Sequence, residues 1–336
     1  MDTTPENNEK SPEMTDIILD KDGDVIFLVG DGDVSVSRIR VSSKVLILSS
    51  PVFEAMFTHG FAEGHNLSAT SPRVIPLPDD GVLAMTLLCQ IIHHKHQDVP
   101  KALGMNHLVE LTILCGKYDC VLAVQPWGMI WTTELLPRAV EEGFEKLLFI
   151  TYGLDLAENF FKLTEHLVKN RLVKIEVANA IPGYEGDPEL FQASLPETLE
   201  EARAERIQKV LEAFESVMIP FLDGPYTTRE CQRSTVTDYF HSLSAAGLWP
   251  LSRRLQAFTI PQILKILDKV SLPRSDTCEC EIWEGGCHLQ KTSPDGIIPT
   301  LCAGLQAIDK ATTGICLDCW RVGREAYDMQ ECRVKH

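Results

Sequence analysis

From Val25 the chain runs Val-Ile-Phe-Leu-Val, then Gly30-Asp31-Gly32-Asp33, then Val-Ser-Val-Ser-Arg-Ile-Arg-Val up to Val41. A short β-branched and aromatic run, a glycine-rich turn and a second alternating run predict a β-hairpin. The inward face changes parity between Val34, Val36 and Ile39, Val41, which predicts a bulge near Ser37-Arg38, because one extra residue flips the buried face.

The segment after the hairpin sets the fold class. Ser42 or Ser43 is placed to cap a short helix through Leu48, and Ser50-Pro51 supplies a cap and a first-turn proline for a second. In the second helix Val52, Phe53, Met56 and Phe57 fall at helical spacing. Arg73 to Leu77 reads as an edge strand, since Pro76 cannot donate to a ladder. Asp79 and Asp80 are candidate caps for a helix through about His94, with Leu83, Leu87, Leu88, Ile91 and Ile92 as its apolar stripe. A further helix near Met105 to Lys117 turns Leu108, Leu111 and Leu114 inward. The expected fold is therefore α+β: a small sheet covered by helices, followed by a mainly helical region. That region includes Arg138 to Asn170, Pro196 to Met218 and Pro261 to Val270, with a linker near 180–196 marked by Pro182, Gly183, Gly186 and Pro188.

Composition narrows the function. The 336 residues, 44% of them hydrophobic, suffice for a sizeable core and more than one domain. A formal net charge of −17 repels phosphate backbones and anionic membranes, so nucleic acid and membrane are disfavoured as partners. Residues 1–23 are polar and acidic and read as a disordered tail. No secretory signal and no apolar run of about 20 residues is visible, which predicts an intracellular protein of cytoplasm or nucleus whose cysteines are free thiols or metal ligands.

The residues of the first third carry a resemblance. Asp24-Val25-Ile26-Phe27-Leu28-Val29-Gly30, Arg40-Val41-Ser42-Ser43-Lys44-Val45-Leu46 and Ser49-Ser50-Pro51-Val52-Phe53-Glu54-Ala55-Met56-Phe57 resemble the BTB/POZ domain, in the forms abundant in filamentous fungi. Ile91-Ile92-His93-His94 and Cys115-Gly116-Lys117-Tyr118-Asp119-Cys120 have counterparts there too. The resemblance spans about 24–125; Ser42 stands where many animal members have a histidine. It implies a protein-interaction adaptor or assembly module without an active site, binding itself, another such chain or the cullin scaffold of a ubiquitin ligase. The cullin-binding triplet of the family, hydrophobic-x-acidic, has its counterpart in Phe61-Ala62-Glu63. Phe61 and Glu63, between Gly60 and Gly64, are thus the candidate partner-binding residues, a large apolar side chain on a loop being available to a partner.

Beyond 126–275 the chemistry concentrates. Seven of the eleven cysteines lie in 276–336: Cys278, Cys280, Cys287, Cys302, Cys316, Cys319 and Cys332, with His288 and His336. Cys316-Leu317-Asp318-Cys319 is a CxxC step, and Cys332 and His336 stand four apart, a spacing that puts both on one face of a helix. Together they read C-x2-C-x12-C-x3-H, a tetrahedral zinc set with a structural role. A competing group would use Cys278, Cys280 and Cys287 with the Cys316 and Cys319 pair, and a third reading is a cluster of buried free thiols. Similar fungal BTB-containing proteins end in a comparable cysteine-rich segment. The intervening Arg321, Arg324, Glu325, Asp328 and Glu331 form no basic strip, so stapling is favoured over DNA contact. The runner-up function is a zinc-containing transcriptional or chromatin regulator.

Other groups read as structure. Cys89, His93, His94 and His96 look like the solvated end of a helix. Asp16, Asp20, Asp22 and Asp24 do not match a calcium loop, and no phosphate loop, GxSxG or HExxH appears, in keeping with a non-enzymatic protein.

Overall fold

In the computed structural model, which describes residues 15–30, 37–173, 195–222, 230–272, 294–323 and 332–336, four strands form one mixed sheet. They are Thr15–Ile18 (β1), Val25–Val29 (β2), Ser37–Val41 (β3) and Arg73–Leu77 (β4), in the order β1-β3-β2-β4. The expected hairpin is the antiparallel pair of β2 and β3, while β1 runs parallel to β3 and β4 parallel to β2. β4, with Pro76, lies at an edge as its proline requires. The fold is α+β.

Three local expectations are corrected. Residues 1–23 are not wholly a tail, because Thr15–Ile18 pairs along β3 and Leu19 is buried; the apolar run Ile17-Ile18-Leu19 is too short to predict a strand without its nonlocal partner. No bulge sits at Ser37-Arg38, since the β2–β3 register runs without a break from Val29↔Ser37 to Val25↔Val41. Val34, Val36 and the turn residues Asp31 to Asp33 lie outside the described residues; Gly30 has a φ of 99°, which favours glycine. The domain edge at 125 falls inside a helix, Val121–Leu135, which together with Lys146–Gly153 belongs to the same compact unit as the sheet.

That first unit carries Ser43–Ser49 (α1), Pro51–Thr58 (α2), Val82–Ile92 (α3), Met105–Lys117 (α4), Val121–Leu135 (α5) and Lys146–Gly153 (α6). Ala157–Asn170 (α7) comes next, and the division between the two units falls within it. Ser50 caps α2 as expected, its hydroxyl accepting from Phe53 N–H at 3.0 Å, with Pro51 in the first turn. The cap of α1 comes from elsewhere: Asp24 accepts from Ser43 N–H at 2.8 Å and from its hydroxyl at 2.7 Å. Asp79 and Asp80 do not cap α3, whose N-cap is Gly81. Asp80 is buried and accepts instead from Lys117 Nζ at 2.6 Å and from the Tyr118 hydroxyl at 2.5 Å. A carboxylate out of water needs such partners. Leu83, expected in the apolar stripe of α3, is exposed, while Leu87, Leu88, Ile91 and Ile92 are buried.

Val25, Phe27, Val29, Ile39 and Val41 alternate as the buried hydrophobic residues of β2 and β3, and Leu46, Phe53, Leu88, Leu108 and Leu111 are among the buried residues of the helices. Phe53 is the hub, its ring stacked 5.8 Å from Phe27, 6.3 Å from Phe57 and 4.6 Å from Tyr118.

His93 is a working part of this unit rather than a solvated helix end. Its Nδ1 donates to Cys89 O at 2.9 Å, and its Nε2 accepts from Ser42 N–H at 3.0 Å, tying α3 to the start of α1. Burial holds the imidazole below its ordinary range, against the opposing hydrogen bond to Cys89. A base whose folded value is depressed contributes fully above about pH 6.5, the unfolded value, and the contribution is lost as pH falls through the folded value. His93→Gln should therefore lower stability by about 1 kcal/mol at pH 7. The gap between wild type and variant should narrow toward pH 5 in denaturant titrations; a gap independent of pH would show that the neutral imidazole is not what matters.

The second unit is helical: Leu195–Ser216 (α8), Ile219–Leu222 (α9), Glu230–Ala245 (α10), Leu251–Arg254 (α11), Ile260–Leu267 (α12), Pro294–Ala311 (α13) and Leu317–Val322 (α14), together with the later part of α7. Its core gathers Val210, Phe214, Tyr239, Leu243, Leu255, Ile263, Leu301 and Leu305. Thr259 and Gln262 form a reciprocal capping box at α12. No helix among the described residues is long and apolar enough to cross a membrane.

Candidate metal centre

The second unit brings four metal-ligating side chains together. Gly314 lies so close to α7 that a β-carbon would collide with the Phe161 carbonyl. Beside it, Ile315 N–H donates to Thr164 Oγ1 at 2.8 Å. These two contacts fix where the chain enters α14. Cys316 is the N-cap residue of that helix and Cys319 lies in its first turn, closed by Trp320 N–H donating to Cys316 O at 2.9 Å. Gly323, left-handed with a φ of 63°, ends it.

The other two donors arrive on a separate segment. The structure corrects one expectation: Cys332 to His336 is a bend, not a helical turn. The bend is held from outside. Arg333 donates to Asp318 through its backbone N–H at 2.9 Å, Nε at 3.0 Å and Nη2 at 2.6 Å. This clamp joins the residue after Cys332 to a residue inside the CxxC step, so the two half-sites meet. The Arg333 hydrogen bond also holds the Asp318 carboxyl below the usual carboxylate range.

The donor atoms of Cys316, Cys319, Cys332 and His336 all lie within 4.8 Å of one another. Cys319 Sγ is 3.4 Å from Cys332 Sγ and 3.5 Å from His336 Nε2. A tetrahedral ion with bonds of about 2.3 Å to sulfur and 2.0–2.1 Å to nitrogen separates its ligands by roughly 3.6–3.8 Å. Two of the observed spacings are close to that and none exceeds 4.8 Å, so the four donors could hold one ion. Cys316 is buried and the others are half-buried. The hydrogen bond with Cys319, desolvation and the nearby Cys316 push the Cys332 thiol up to about 12. Three thiolates at this spacing require a positive charge among them.

Among the described residues this is the cluster able to hold a metal. Cys278, Cys280 and Cys287, the core of the competing group, lie outside the described residues. Cys89 directs its sulfur to Met85 and both nitrogens of His93 are engaged, so the Cys89 and His93 pair is no half-site. Asp20 accepts from Asp22 N–H at 2.9 Å and Asp24 caps α1, which makes these carboxylates turn chemistry. Cys89, Cys115 and Cys120 of the first unit are buried free thiols. Phe61 is 56% exposed at the start of the short 3-10 turn Ala62–Gly64, and Glu63 is half-buried.

A cleft of about 570 Å³ in the second unit is walled by Val168, Ala202, Ile308, Ala311 and Ile315. Its buried Arg206 is engaged by Asp309 at 2.7 Å, Thr312 at 3.2 Å and the Lys169 carbonyl at 3.3 Å, so that guanidinium serves the packing.

No model of a known protein family matches the chain, and no curated protein does. The metal-binding reading therefore stands on the donor geometry itself. The four side chains that the structure brings together are those the sequence spacing grouped; the spacing did not point to Asp318 and Arg333, whose opposite charges beside Cys319 and Cys332 were the available signal. Phe161, whose ring lies 6.3 Å from that of His336, left no such signal.

Proposed function

We propose that the chain is a zinc-stabilised protein-interaction adaptor whose N-terminal unit is a BTB/POZ-like assembly domain and which acts by binding rather than by catalysis. The observation that carries the zinc reading is the convergence of Cys316, Cys319, Cys332 and His336. Three thiolates and an imidazole are a donor set that zinc takes in closed structural sites, with all four positions filled by protein. When bound, the ion supplies a cross-link between the turn at 316–319 and the segment 332–336, and its binding energy becomes folding energy.

The assembly-module reading is supported by the order of elements: a hairpin, two short helices, an edge strand, then α3 and α4 packed against each other. The partner reading rests on Phe61, a large apolar side chain left in solvent beside an acidic one. Engagement of Arg333 by Asp318 takes a positive charge away from any phosphate-binding face, which favours the adaptor over a nucleic-acid-binding regulator.

Changing Phe61 and Glu63 together to alanine should weaken a complex with a cullin scaffold at least tenfold while moving the melting temperature little, because exposed anchors leave the core intact. Titration of the full chain against purified cullin N-terminal segments measures this. Absence of any complex with the unmodified protein at micromolar concentration rules out the cullin as partner.

A further inference from the structure

A second property of the same four donors rests on the zinc reading. Cys319 and Cys332 have their sulfurs 3.4 Å apart, in direct contact and half-buried, whereas Cys316 is buried. Disulfide sulfurs stand about 2.05 Å apart, so the pair is separated from a covalent bond by little more than an ångström. The Asp318 and Arg333 clamp lies outside the donor set. It does not need the metal, and it keeps the segment bearing Cys332 against the helix bearing Cys319.

We infer that the centre is a peroxide-responsive switch, in which Cys319 and Cys332 join as a disulfide and the metal ion leaves, while the clamp keeps the segment 332–336 in place. The oxidant is hydrogen peroxide. One of the two thiolates attacks the peroxide oxygen, the O–O bond breaks, and the sulfur becomes a sulfenic acid as hydroxide departs. The neighbouring thiolate then attacks that sulfur, the S–S bond forms, and a second hydroxide leaves. Two sulfurs have given up two electrons, hydrogen peroxide has been reduced to two hydroxides that are neutralised by buffer acids, and the ion has lost two of its four donors. Cys316 and His336 alone hold zinc too weakly to retain it. Thiol reductant and zinc restore the starting state, as suits a reducing compartment where such disulfides are transient.

The test uses the full chain loaded with zinc, treated with hydrogen peroxide in the presence of a chromogenic zinc indicator, and mapped by non-reducing peptide mass spectrometry. The expected result is one zinc released for each Cys319–Cys332 disulfide, with rebinding after reduction. Asp318→Asn should lower the share of that pairing severalfold in favour of other thiol products, since the clamp sets which sulfurs meet. Retention of zinc at saturating peroxide, or a Cys316–Cys319 disulfide as the main product, overturns the switch while leaving the zinc reading intact. A chain that takes up no zinc overturns the zinc reading, and the peroxide product of that metal-free chain still reports whether Cys319 pairs with Cys332.

Discussion

Phe53→Ala will destabilise the first unit by about 3–5 kcal/mol, the range for removing a fully buried aromatic ring. Phe53 has no solvent exposure and its ring stacks on those of Phe27, Phe57 and Tyr118. Truncation thus opens a cavity where β2, α2 and the end of α4 meet, and no neighbour can fill it without leaving its own contacts. The adjacent α1 offers the contrast: Leu48 is 88% exposed, and Leu48→Ala should change stability by less than about 0.5 kcal/mol. Because the chain has two units, a single global transition would mix them. Hydrogen exchange of the β2 and α4 amides resolves the first unit alone. A loss below about 1 kcal/mol there would mean that Phe53 is not the hub of the core.

Removing one metal donor should have an effect as large, confined to the other unit. Cys316→Ser replaces the most buried ligand with one that zinc binds poorly, and should weaken zinc binding by roughly a thousandfold or more, about 4 kcal/mol. Deleting Val334, Lys335 and His336 should lower zinc content and loosen 315–323 and 332–336. In both variants the protection of α3 and α4 should stay as in the parent chain. If zinc survives both changes, the ion sits elsewhere, and the group led by Cys278, Cys280 and Cys287 becomes the better assignment.

Features set by neighbours in sequence were legible, and those set by distant partners were not. Ser50-Pro51 announces the start of α2 because cap and first-turn chemistry act within four residues. Leu108, Leu111 and Leu114 reveal the inner face of α4 by spacing alone. By contrast Thr15–Ile18 is only four residues long, its two isoleucines following an acidic stretch, and it becomes a strand only through β3. The cap of α1 is supplied by Asp24 from the loop before β2, and the partner of Ser42 N–H is His93, 51 residues away. The four side chains that converge were legible because Cys-x2-Cys and Cys-x3-His are the close spacings a tetrahedral ion would need within each half-site. The conformation of the second half-site was not. Four-residue spacing fits a helical turn, but the Asp318 clamp on Arg333 imposes a bend that meets the same need.

X-ray absorption at the zinc edge of the full chain, purified without chelators, is the decisive experiment, since it reports both the metal and its donors. The result expected is one zinc per chain with a shell of three sulfurs at about 2.3 Å and one nitrogen at about 2.0–2.1 Å, the nitrogen lost in His336→Ala. A sulfur-only shell would assign the ion to the cysteine group that includes Cys278, Cys280 and Cys287. A metal-free protein whose 315–323 and 332–336 segments are nevertheless fully protected from exchange would contradict the zinc-stapled structure.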